Sequence, residues 1–115
     1  MEIKGLQDYE YTPEWNGNRE DPAPVKIKMQ PLTSTQRERC MEIGAGADGI
    51  TMMRPNLSEL VRHGIREISG LKVDGVEIKT ALALLNSKGL GLDNLVRELG
   101  IEVFVANQRP DLKNS

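Results

Sequence analysis

Apolar and polar positions change their period several times along this chain, and each change marks an element. Val25-Lys26-Ile27-Lys28-Met29-Gln30 alternates strictly, which predicts a strand with Val25, Ile27 and Met29 on its buried side. Pro31 ends it. Thr33-Ser34-Thr35-Gln36 has the form of a capping box, so a helix is expected from there to about Ile43. Gly44, Gly46 and Gly49 close that helix and open a mobile loop running to Met53. Asn56 and Glu59 repeat the capping pattern, and Leu57, Leu60, Val61, Ile65 and Ile68 follow at steps of three and four, which predicts a helix over 57–68. Gly64 lies on its apolar stripe, where a missing side chain lets another backbone come close.

Leu71-Lys72-Val73-Asp74-Gly75-Val76-Glu77-Ile78 reads as a hairpin. A two-residue Asp-Gly connection takes positive φ at both central positions, the type I′ geometry whose twist suits the flanking strands. Its register sets Val73 across from Val76 and Leu71 across from Ile78 on one face, with Lys72 and Glu77 paired on the other. Helices on either side are expected to cover the apolar face, which makes 57–107 one packed unit. Thr80 caps a short leucine-rich helix that ends near Gly89. In the last segment Leu92, Leu95, Val96, Leu99 and Val103 keep helical spacing across Gly100, while Ile101-Glu102-Val103-Phe104-Val105 also fits a strand; the unbroken stripe favours a helix to about Asn107.

These elements predict a mainly α, α+β fold: one domain, 1–115, with three or four helices, an N-terminal extended arm over 1–24, a helical body with the small hairpin over 25–107, and a flexible tail over 108–115. Of the four aromatic residues, Tyr9, Tyr11 and Trp15 lie in the arm, so the core is left to Leu, Ile, Val and Met. Rings on an irregular segment must dock, either on the body or on another chain, to leave water. A formal charge of −2 with no basic block argues against nucleic acid, and no apolar run nears the roughly 20 residues of a membrane span. The single cysteine suits a reducing compartment, so a soluble cytoplasmic protein is expected.

Catalytic raw material is scarce. His63 sits between Glu59 and Glu67 at spacings of four, an ordinary surface arrangement, and Cys40 has no second cysteine or orienting base, so no enzyme, cofactor or metal is expected. The glycine stretch 44–49 lacks the Gly-Lys-Ser/Thr ending of a phosphate loop. Met41, Met52 and Met53 border it, as core filler or as an adaptable binding surface. Ile101, Phe104 and Val105 widen the last helix's stripe beyond what one core contact uses, and such a surplus marks a partner or self-association surface. The expected partner-binding residues are therefore Ile101, Phe104 and Val105, with Met52, Met53 and Trp15 as further candidates.

Two stretches taken together resemble a known family. Tyr11-Thr12-Pro13-Glu14-Trp15-Asn16-Gly17-Asn18, then Asp21-Pro22 and the strand into Pro31-Leu32-Thr33, resembles the opening of tail assembly chaperones of long-tailed bacteriophages and prophages. So does the later block, in which Ile68-Ser69-Gly70-Leu71 leads through Val73-Asp74-Gly75 and a leucine-rich helix to Leu95-Val96-Arg97-Glu98-Leu99 and a terminal Leu112-Lys113-Asn114. The resemblance implies a non-enzymatic protein of the host bacterial cytoplasm that binds the tape measure protein, keeps its apolar helices soluble and helps recruit the tail tube protein. The alternative is a structural virion component, a tail completion or connector protein whose arm around Trp15 docks on a neighbouring subunit.

Overall fold

The computed structural model describes residues 1–45, 49 and 51–108. Strands β1 (Tyr9–Tyr11), β2 (Lys26–Met29) and β5 (Ile65–Ser69) form an antiparallel sheet in the order β1-β2-β5. One face of this sheet is apolar: Tyr9 and Tyr11 lie across from Met29 and Ile27, and Ile27 lies across from Ile68. Helices α2 (Leu57–Gly64), α3 (Ala81–Leu85) and α4 (Leu92–Gln108) supply the rest of the core around fully buried Val61, Leu84, Leu95, Leu99 and Val103. Lys26, Lys28, Glu10 and Glu67 cover the outer face.

The fold is not mainly helical with three or four helices. Among the described residues it is mixed α and β, with five helices, one of them the 3-10 helix Trp15–Glu20, and three small sheets. Most of the difference comes from two segments. The first is 65–69, expected as the end of a helix and found as β5. Ile65 and Ile68 are three apart, a helical spacing, yet both are buried in a strand because a β-bulge intervenes: Met29 pairs with Ile65 and Lys28 with Glu67, leaving Arg66 as the extra residue. Arg66 instead reaches Asp8 at 2.7 Å.

The second segment is 40–55. The capping box forms as expected, with Gln36 N donating to Thr33 Oγ1 and Thr33 N to Gln36 Oε1, but α1 (Ser34–Arg39) stops at Cys40. Strands β3 (Met41–Ala45) and β4 (Thr51–Pro55) then pair as an antiparallel ribbon, Glu42 across from Arg54 and Ile43 across from Met53. Much of the segment expected as a loop is thus strand; of the tail expected over 108–115, Gln108 belongs to α4, and residues 109–115, like 46–48 and 50, lie outside the described residues.

The hairpin of β6 (Lys72–Val73) and β7 (Val76–Glu77) has the expected register, with φ of 51° at Asp74 and 79° at Gly75. Its apolar face is only half covered. Leu71 and Ile78 are buried, whereas Val76 stays 64% exposed. Helix α4 runs unbroken through Gly100. Gly100 is a packing residue: a Cβ there would lie 2.9 Å from Leu57 Cβ and 3.0 Å from its carbonyl oxygen. No helix among the described residues is long and apolar enough to cross a membrane.

Candidate interaction surface

The amino-terminal arm is bound to α4 along one polar seam. Glu98 accepts three hydrogen bonds: Oε2 from the Tyr11 hydroxyl and the Glu14 amide, each at 2.7 Å, and Oε1 from the Trp15 amide at 2.9 Å. One turn on, Glu102 accepts from the Tyr9 hydroxyl at 3.0 Å, and the Trp15 indole donates to the Gly91 carbonyl at 3.0 Å. Trp15, a candidate partner residue, is thus half-buried against its own chain. Asn16 and Gly17 take positive φ to turn the chain, and buried Asn18 staples the turn by donating to the Pro13 and Val25 carbonyls while accepting from the Val25 amide. Tyr11, Glu14, Trp15, Asn18 and Glu98 are therefore residues that hold the arm down.

Burial, reinforced by the neighbouring carboxylates of Glu102 and Glu98, pushes the hydroxyls of Tyr9 and Tyr11 well above the usual tyrosine range. An undocked arm would lose both protons near pH 10, whereas the docked arm keeps them, so docking is at full strength below about pH 10 and weakens above it. These are the only two tyrosines and Trp15 the only tryptophan, so one alkaline titration reads both sides of the seam. Tyrosinate absorbance is expected to rise together with the change in Trp15 fluorescence. Ionisation at the ordinary value with Trp15 undisturbed would contradict the seam.

On another side of α4, Phe104 is half-buried at the floor of a cleft of about 360 Å³ between α1, α4 and the base of the ribbon. Leu32, Met41 and Leu60 complete its apolar floor, with Ser34, Arg37, Glu38 and Asn107 polar around them. Asn107 fixes this corner by accepting from the Leu32 amide and donating to the Val103 carbonyl. Two exposed apolar strips adjoin the cleft. Ile101, 48% exposed, lies one turn from Phe104 on the helix surface, and Val105, 39% exposed, lies one turn beyond Ile101. On the ribbon, Met41 and Ile43 share a face with Met53 and Pro55, and Ile43 and Met53 are exposed there. Met52 is also exposed but lies on the opposite face, with Arg54 and Glu42, which pair at 3.3 Å.

Of the expected partner residues, Phe104 lines the cleft, Ile101 lies one turn from it on α4 and Val105 one turn beyond Ile101. Met53 lies on the ribbon face that Met41 shares, Met52 lies on the opposite ribbon face, and Trp15 is committed to the arm seam. Sequence reading missed Ile43 and Leu32 and left Met41 open between core filler and an adaptable surface, although the alternation Met41-Glu42-Ile43 was a usable strand signal. Cys40 is buried, and burial together with the Glu59 carboxylate pushes its thiol up, opposite to an activated nucleophile. His63 Nε2 lies 3.3 Å from Glu59 Oε2 as an i,i+4 pair on α2. Among the described residues no group of three or more His, Cys, Asp or Glu could hold a metal ion.

Comparison of the chain with protein-family models, with curated proteins and with solved structures finds no significant match. Fold and surface together define a small mixed α/β domain with a strapped arm, an apolar cleft and a projecting ribbon.

Proposed function

We propose that the chain is a tail assembly chaperone of a long-tailed bacteriophage or prophage, working without catalysis in the host bacterial cytoplasm. It binds apolar helical segments of the tape measure protein and assists recruitment of the tail tube protein. The observation that carries this reading is the apolar-floored cleft at Phe104, with exposed Ile101 one turn away on α4 and with Ile43 and Met53 exposed on the ribbon face that Met41 shares. An amphipathic helix presents anchors at i, i+3, i+4 and i+7, and a groove with an apolar floor and a charged rim is the complementary shape. The family resemblance supplies the identity of the client.

Ile101→Asp with Val105→Asp tests this, because both side chains are partly in solvent and the core does not depend on them. Co-expressed with the tape measure protein, the double variant is expected to recover at least about tenfold less client than the wild type, as desolvating two carboxylates costs well over the 1.4 kcal/mol of a tenfold change. Trp15 fluorescence should be unchanged. Undiminished client recovery would reject this face. Purified particles should lack the chain; its presence there in fixed stoichiometry would replace the chaperone reading with that of a structural tail component.

A further inference from the structure

The ribbon of β3 and β4 is open on both faces, since Ile43 and Met53 are exposed on one and Met52 on the other. A two-stranded ribbon is marginal without a further strand or a covering element. At its base the Asn56 amide donates to the Cys40 carbonyl at 2.6 Å. Bonded and non-bonded pairs alternate along an antiparallel ladder, so Met41, Ile43 and Ala45 turn their amides and carbonyls away from β4. By the same alternation Met53 and Pro55 face outward on the other edge. The two edges are not equivalent. Pro55 removes a donor from the β4 edge, whereas β3 carries neither proline nor lysine, the usual guards of an exposed edge. Among the described residues β3 pairs with β4 alone, and no other backbone group meets the outward amides and carbonyls of Met41 and Ile43.

We propose that the β3 edge pairs with the β3 edge of a second copy of this chain, antiparallel about a twofold axis at Ile43, giving a four-stranded sheet in the order β4-β3-β3-β4. The occupant is a second copy because the strand complements itself about that residue. With Ile43 across from its own counterpart, Met41 meets Ala45, and all three residues aim their amides and carbonyls at the partner strand. On the other face Glu42 falls across from Gly44 of the second copy. Gly44 has no side chain, and Arg54 fills the space above it: a Cβ there would lie 3.1 Å from Arg54 Nε and 3.2 Å from its Cζ. Arg54 already reaches Glu42 of its own chain at 3.3 Å. In the paired sheet each Glu42 carboxylate therefore lies between two guanidiniums, its own and that of the second copy. Opposite charges meet on both sides of the axis, which fixes the register. The ribbon faces that carry Ile43 and Met53 join into one apolar surface.

Sedimentation equilibrium of the full chain is expected to show a reversible dimer; a monomer at every concentration would overturn the proposal. Glu42→Arg and Arg54→Glu should each weaken self-association about tenfold or more, because the contacts across the axis turn repulsive. Each also breaks the ion pair within the ribbon, so the decisive measurement mixes the two variants. In the mixed dimer every contact across the axis again joins opposite charges while both internal pairs stay broken, and association should return towards the wild-type level. Mixed association no stronger than that of the single variants would overturn the pairing. In a Cys40→Ser background, Ile43→Cys should close a disulfide between copies under mild oxidation, its Cα atoms about 5.5 Å apart across the axis. Met53→Cys, about 14 Å from its counterpart, should not. The reverse result would put β4 at the interface and overturn the assignment to β3. No client is present in these experiments, so their failure leaves the client reading standing, and loss of the client reading leaves these results unaffected.

Discussion

Glu98→Ala is expected to release the amino-terminal arm while the helical body stays folded. The substitution strips acceptors from the Tyr11 hydroxyl and from the backbone amides of Glu14 and Trp15 in one step. Hydrogen bonds to a charged group are worth about 1.5–3 kcal/mol each, and three sharing one carboxylate do not add fully, so a loss of roughly 2–4 kcal/mol in arm docking is expected. Trp15 also leaves the Gly91 carbonyl, which should redden its fluorescence and open residues 12–24 to proteolysis. The Tyr9 to Glu102 bond stays in place and is expected to be too little to hold the arm at Trp15. Glu98→Gln separates charge from shape: it keeps one acceptor oxygen and should release the arm only partly. An arm that stays docked in Glu98→Ala, with Trp15 unchanged, would mean that β1 pairing with β2 carries the docking instead.

Gly64→Ala should cost about 1–3 kcal/mol of global stability, as overpacking in a filled core does. A Cβ at residue 64 would meet the two Val103 methyls at 2.5 and 2.6 Å. Val103 is buried and β-branched, so it cannot swing aside, and the helices must separate. The same change at an exposed helical site would gain up to about 1 kcal/mol from helix propensity, so the predicted sign is itself the test. The melting temperature should fall by roughly 4 °C per kcal/mol. Gly64→Ala with Val103→Ala should be less destabilised than the sum of the singles by about 1 kcal/mol or more, since the added and removed atoms share one space. Gly100→Ala is expected to behave like Gly64→Ala but without such rescue, because it meets the backbone of Leu57 as well as its Cβ. A stabilised Gly64→Ala would show that α2 and α4 are not in this close contact.

These two glycines also show how far the chain could be read directly. Gly64 on an apolar stripe announces a close approach, but nothing in the sequence says that Val103 fills it. The stripe across Gly100 announces one continuous helix, but nothing in the sequence says that Gly100 marks the crossing of α2 over α4. The proposed binding surface was legible in half. Surplus apolar residues at 101, 104 and 105 stand out on a helical wheel, whereas Ile43 and Met53 become neighbours only through the pairing of β3 with β4. The seam at Glu98 was not legible, because Tyr11 and Glu98 are 87 residues apart and each is unremarkable in its own segment.

Features set by neighbours within a few residues could be read from the chain alone: the Thr33 capping box, the Asp74-Gly75 turn and its register, the strand at Lys26–Met29, and the continuous stripe of α4. Their energetics are local, in a side chain meeting the backbone three residues on or in one left-handed pair of dihedrals. Tertiary structure decided the rest. Ile65 and Ile68 fit a helix or a bulged strand equally well until β2 supplies an edge whose amides and carbonyls need partners. The arm could have docked anywhere until Glu98 and Glu102, one turn apart on α4, met its hydroxyls and amides. Short segments of ambiguous period have no preference strong enough to choose, so the hydrogen-bonding demand of a distant element chooses for them.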